Sequence, residues 1–240
     1  MVDNLMKFSI AIPTFESNGR GNEFLDDLLR TIEIQTFKDF EVVISDHSIN
    51  DDLLETINQF KDKFKIVYVK NDKQRGNGPA NTNNAIKNCS GDIIKVMFQD
   101  DFFYDDEALE KIHNAFSGDV NWLVCGSNHT KDNGHSFYWD LYPSWNDDII
   151  RGVNTISSPS VLSARREVFD QVKFDPKLVM MMDCEFYYHT KKVYGNPVYY
   201  NDILITNRVH EEQISSRYVK ENYQEKFHNE LLYCQKKHME

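Results

Sequence analysis

The sequence predicts an α/β fold built on a mostly parallel central sheet flanked by helices. Two observations lead there. Short β-branched and aromatic runs at 8–12, 40–45 and 66–69 alternate with longer amphipathic stretches, and their spacing leaves room for one crossover helix each. The runs are mostly apolar throughout rather than alternating, as strands covered on both faces are.

The first run is followed by Phe24, Leu25, Leu28, Leu29 and Ile32 at helical spacing, behind Asn22, which has the chemistry of an N-cap. After the second run, Leu53, Leu54, Ile57 and Phe60 repeat in the same way behind Asp51. A third helix is expected to open near Pro79, whose fixed φ suits a first turn. Runs at 93–98 and 122–125 read as two more strands, with Leu109, Ile112 and Phe116 on a helix between them. The second half is less regular. It holds an aromatic loop at 137–145, a Ser-rich stretch at 157–163 and a polar helical tail after Ser215, with Val219, Tyr223, Phe227 and Leu231 as its apolar stripe.

Composition narrows the function. The 240 residues carry 38 Asp plus Glu against 27 Lys plus Arg, a formal charge of -11. That balance argues against a nucleic-acid binder or a polybasic membrane anchor, both of which need clustered cations. At 40% hydrophobic residues the chain is rich enough to bury roughly 70% of its extended surface. The uncharged stretch at 152–164 is too short and polar to span a bilayer, and the first residues lack a signal-peptide pattern, so a soluble cytoplasmic protein is expected. Cys89, Cys125, Cys184 and Cys234 are far apart, which suggests neither a zinc knuckle nor a disulfide framework.

In an open parallel sheet the ligand crevice lies beyond the carboxyl ends of the strands. Three of those ends are polar: Pro13-Thr14-Phe15-Glu16, Asp46-His47-Ser48 and Gln99-Asp100-Asp101. Acidic groups converging on one edge are costly unless a cation compensates them, and Mg²⁺ or Mn²⁺ takes oxygen ligands from such carboxylates together with substrate phosphates. Plain loop solvation is the alternative for each. A dinucleotide fingerprint is set aside because Gly76-Asn77-Gly78 follows the third strand and Asn81 stands where the last glycine belongs; no P-loop occurs.

These segments, with Ala85-Ile86 and Gly91-Asp92-Ile93, resemble the donor half of a family 2 glycosyltransferase of the GT-A fold. In the second half, Ser158-Pro159-Ser160-Val161-Leu162, Arg165-Arg166, Met182-Asp183-Cys184-Glu185-Phe186 and Arg208-Val209-His210 resemble its acceptor side and closing element. The resemblance implies one catalytic domain over 1–240: a nucleotide-sugar half at 6–130, an acceptor-side half at 131–216 and a helical tail at 217–240. It implies inverting transfer of a sugar, with a UDP-sugar favoured, to a hydroxyl of a glycan or other acceptor, with Mn²⁺ or Mg²⁺.

By the same resemblance Asp183 is the general base, and Asp101 and His210 hold the metal. Pro13, Thr14, Phe15, Glu16, Asp46, Ser48, Asn83, Gln99 and Asp100 border the nucleotide sugar. Glu185, Trp139 and Trp145 lie on the acceptor side. Asp183 can equally cap a helix, Glu185 can be a first-turn charge, His210 can bond a loop, and the tryptophans can be core. The sequence departs from the family pattern at Gln99, where an acid is usual, at Thr82, where an arginine is common, and at Met182, which replaces a glutamate. The first two departures motivate an alternative, a non-catalytic nucleotide-sugar or glycan-binding module. A sugar-phosphate nucleotidyltransferase is disfavoured because its Gly-rich loop after the first strand is missing.

Overall fold

The computed structural model describes residues 7–211, 213 and 223–239. One nine-stranded sheet runs through the molecule in the order β3-β2-β1-β4-β8-β6-β9-β5, with β7 paired to β6. Its first part is the expected parallel βα series. β1 (Phe8–Thr14), β2 (Phe40–Asp46), β3 (Lys65–Lys70) and β4 (Ile93–Val96) are linked by α1 (Gly21–Glu33), α2 (Leu53–Phe60) and α3 (Gly78–Lys87). Of these strands, β1, β2 and β4 are almost wholly buried, while the edge strand β3 is half-exposed, which is why its run alternates more in polarity. Full burial of one of the many Leu and Ile side chains here contributes about 2 kcal/mol.

Helix signals fare unevenly. Asn77 accepts the backbone N–H of Ala80 and Pro79 sits in the first turn of α3, as expected. Asn22 does not cap α1; it lies inside the helix and accepts a hydrogen bond from Thr56 Oγ1, tying α1 to α2. The helix begins instead at Gly21, where a Cβ would stand 2.5 Å from the carbonyl oxygen of Phe15, so only glycine lets α1 start tight against the end of β1.

The second half of the sheet joins β5 (Phe102–Phe103), β6 (Trp122–Thr130), β7 (Tyr138–Leu141), β8 (Leu162–Arg165) and β9 (Val198–Arg208). β6 outlasts the apolar run at 122–125 because its polar continuation is satisfied by neighbours: Asn128 Oδ1 accepts from Thr206 Oγ1, and the hydroxyls of Ser127 and Ser157 lie 2.9 Å apart. β4 stops at Val96, short of the expected 98, and the chain turns there. Helices α4 (Ala108–Ala115), α5 (Arg166–Gln171), α6 (Met182–Tyr194) and α7 (Tyr223–Met239) complete the layers. Val219 lies outside the described residues, whereas Phe227 and Leu231 of α7 pack on the core beside Gly152. All four cysteines are free and buried. No helix among the described residues is long and apolar enough to cross a membrane.

Candidate active site

The parallel register sets the ends of β1, β2 and β3 level, with Thr14 beside Asp46 and Asp46 beside Lys70. Asn81, from α3, staples this edge: its Nδ2 donates to the carbonyls of Thr14 and Ser45, and its Oδ1 accepts from Ser45 Oγ. Asp46 is fully buried. One oxygen accepts the N–H of Ser48, and the other accepts Tyr68 OH at 2.8 Å and Lys70 Nζ at 3.2 Å. Burial and this bond push the Tyr68 hydroxyl well above its usual range. Two polar atoms at the same edge, Glu16 Oε2 and Ser48 Oγ, are buried with no hydrogen-bond partner among the described residues. Such atoms are costly to leave unmade, so their place beside a crevice is a sign of ligand chemistry.

Gln99, expected to border the nucleotide sugar, has its amide engaged with the backbone. The turn after β4 folds its amide back onto the end of β1, where Oε1 accepts the N–H of Phe15 and Nε2 donates to the carbonyl of Phe15, both at 2.8 Å, and to Ser17 Oγ at 2.7 Å. The side chain is thus a brace for the loop that carries Pro13 to Glu16. The Asn83 amide, expected beside the nucleotide sugar, is paired with the backbone of Phe174, at 2.7 and 3.1 Å, which ties α3 to the chain ahead of α6. Thr82 is buried, its hydroxyl donating to the carbonyl of Gly78.

Asp100 and Asp101 meet the end of β9 because β5 pairs antiparallel with that strand, Phe102 against Thr206. His210 Nε2 lies 3.0 Å from Asp100 Oδ2, with its ring 4.5 Å from that of Phe24. Asp101 is almost fully buried. It accepts the N–H of Arg208 and the hydroxyl of Ser158, and burial, with the nearby Asp100 charge, pushes its carboxyl up to about 8. Asp101, its proton affinity raised by burial and by the Asp100 charge, together with Asp100 and an adjacent imidazole, forms a donor set suited to a divalent ion. The ligand atoms of the three do not close as one tight group; the direct contact is that of Asp100 with His210. Arg208 points away: its guanidinium bonds Asp27, Asn133 and the carbonyl of Asp100 between the rings of Phe24 and Phe102.

Asp183 stands in the first turn of α6, partly exposed. Cys184 N donates to its Oδ1 at 2.7 Å and Asn154 Nδ2 to its Oδ2 at 2.8 Å. Burial outweighs these bonds and pushes the carboxyl up to about 6. A chain of hydrogen bonds links it to the acidic pair: Asp101 to Ser158, Ser158 to Asn207, Asn207 to Ser157 Oγ, Ser157 O to Asn154, and Asn154 to Asp183. Ser157 lies at φ 115°, a strained backbone held where two ends of this chain meet. The Ser-rich stretch signalled this region; Asn154 and Asn207 carried no pattern of their own.

The other acceptor-side candidates separate. Trp139 is 67% exposed, with its ring stacked on that of His129. Trp145 is not an open platform: Lys191 Nζ lies 3.9 Å over its ring, and its indole N–H donates to Asp147. Glu185 faces neither crevice nor solvent. Fully buried, it meets His238 and Lys237 of α7, because its helical position is two residues round from Asp183.

The model of glycosyl transferase family 2 matches residues 9–195. The poly(ribitol-phosphate) beta-glucosyltransferase of Bacillus spizizenii is 34% identical over 110 residues, 45% of this chain and 17% of that protein. The GalNAc(5)-diNAcBac-PP-undecaprenol beta-1,3-glucosyltransferase of Campylobacter jejuni is 31% identical over 98 residues, 40% of this chain and 30% of that protein. The chain therefore spans less than a third of the length of these curated relatives. Among solved structures, residues 1–349 of Staphylococcus aureus TarS, in complex with UDP, match with a TM-score of 0.65 at 21% identity, over 89% of this chain and 63% of that one. The mannosyltransferase PcManGT from Pyrobaculum calidifontis, in complex with GDP-Man and Mn²⁺, matches with a TM-score of 0.67 at 13% identity, over 91% and 61%. The fold is GT-A.

Proposed function

The chain belongs to glycosyl transferase family 2, and from that premise we propose that it transfers a sugar from a nucleoside diphosphate sugar to a hydroxyl of a glycan or similar acceptor, with inversion. The observation that carries this reading is Asp183: a carboxylate in the first turn of α6, aimed by Asn154 and Cys184 N, with a proton affinity raised by burial to about 6. That value leaves it ionised at neutral pH yet basic enough to take a proton.

In this reading Asp183 accepts the acceptor's hydroxyl proton as that oxygen forms its bond to the anomeric carbon. The bond from that carbon to the diphosphate breaks on the opposite face, and the nucleoside diphosphate leaves with the electron pair. A divalent ion held by Asp101, Asp100 and His210 would supply positive charge to the departing diphosphate. Glu16 Oε2 and Ser48 Oγ, which have no partner among the described residues, offer hydrogen bonds to base or ribose at the ends of β1 and β2. Asp46 acts on the donor through the loop it holds, since its oxygens are already engaged. A uridine donor accords with the UDP complex of TarS. Exposed Trp139 offers a flat face to an acceptor sugar.

The test is release of nucleoside diphosphate from a panel of nucleotide sugars with Mn²⁺, with and without glycan acceptors. Turnover that falls on Asp183→Asn supports the reading. Tight donor binding with no release for any donor would instead favour a non-catalytic binding module.

A further inference from the structure

Helices α6 and α7 face each other across a cluster that has no part in the proposed transfer. Glu185 and His189 lie four residues apart on α6, hence on one face of it, and His238 comes from α7. One ligand atom from each lies within 4.8 Å of the other two, and among the described residues this is the single such group of three. His238 Nε2 is 2.5 Å and His189 Nδ1 3.9 Å from Glu185 Oε1, and the two imidazole rings are 5.2 Å apart. In a tetrahedral zinc site, with bonds near 2.0–2.2 Å, ligand atoms stand roughly 3.4 Å from one another. The two observed separations bracket that spacing, so side-chain shifts of about 1 Å would complete the geometry.

Two further features point to a cation. Glu185 is fully buried, and its second oxygen, Oε2, has no hydrogen-bond partner among the described residues. The positive charge now nearest it, Lys237 Nζ at 3.0 Å from Oε1, is shared with Asp175 Oδ2 at 2.7 Å, so Lys237 can be displaced without losing its ion pair. One carboxylate and two imidazoles are a borderline-soft donor set, suited to Zn²⁺ and unlike the oxygen-rich pair at Asp100 and Asp101.

We propose that Glu185, His189 and His238 form a transition-metal site, taking Zn²⁺ or a similar ion, that fastens α7 to α6. Three protein ligands leave the fourth position to water. The ion's place is structural: it joins the helix that carries Asp183 to the helix that covers it.

The experiment is titration of the full chain with ZnCl₂ by calorimetry, in the Asp101→Ala background so that the acidic pair does not contribute, with Co²⁺ absorption as a second readout. One equivalent is expected to bind, with visible Co²⁺ bands of a nitrogen- and oxygen-ligated site and a rise in melting temperature. His189→Ala, at a partly exposed position, and His238→Ala should each weaken binding at least tenfold and abolish the melting shift. Absence of binding by the parent chain, or binding as tight as the parent's in either histidine variant, overturns the site. Neither result depends on whether the chain transfers sugar.

Discussion

Asn154 Nδ2 lies 2.8 Å from Asp183 Oδ2, and its hydrogen bond, with those from Cys184, favours the charged carboxyl against its burial. The rate of transfer should therefore rise with pH through about 6 and level above it. Asn154→Ala removes a bond to the charged form, so the acid limb should move to higher pH, measured as a pH profile of kcat/KM. The stability linkage has the opposite sign. A carboxyl whose folded pKa is raised contributes stability below its unfolded value, about 3.9, and loses it as pH rises through about 6.

Asp183→Asn should abolish transfer while leaving nucleotide affinity within about twofold, because the nucleotide contacts proposed lie at the ends of β1 and β2. Paired turnover and calorimetric measurements decide it; an active variant would remove Asp183 as the base.

Asp101→Ala should lose Mn²⁺-dependent nucleotide binding. His210→Ala should weaken it less, since Asp100 still faces the site. Unchanged titration heats with Mn²⁺ for Asp101→Ala would sink the metal assignment.

Gln99→Glu restores the acid usual in the family, yet it should not restore function. Gln99 Nε2 donates to the carbonyl of Phe15, and a carboxylate there would face that carbonyl with no proton between. The expected cost is about 1–3 kcal/mol of stability, seen in thermal melts, with weaker donor binding. A more active variant would show that this position belongs to the metal.

Glu230 of α7 accepts the backbone N–H groups of Val179, Met180 and Met181, at 2.8 to 3.0 Å, where the chain enters α6 just before Asp183. A negative charge at a helix N-terminus is favourable in itself. Glu230→Ala should destabilise the protein by about 3 kcal/mol and lower kcat more than donor affinity. Denaturant unfolding and steady-state kinetics check both parts.

The first half was legible because it is built from local signals. Apolar runs such as 40–45 and the spacing of Phe24, Leu28 and Ile32 specify strand and helix within a few residues, and parallel βα order then places Asp46 and Asp100 at one edge. The second half was less so. β6 and β9 mix polar with apolar residues because hydrogen bonds such as that between Asn128 and Thr206, or Ser127 and Ser157, replace hydrophobic periodicity there.

The sequence by itself determined the fold class and the family, and it nominated Asp183, Asp100, Asp101 and His210 for the proposed chemistry. Only the tertiary structure decided what their neighbours do. Gln99, Asn83 and Glu185 are polar residues in suggestive places, and a sequence reports their functional groups without saying which partner each will meet. Gln99 turns to the backbone of Phe15, Asn83 to that of Phe174 and Glu185 to His238, in each case across 53 or more residues of chain. Such pairings arise from long-range packing, where a buried polar group must find a partner and the nearest one in space decides its role.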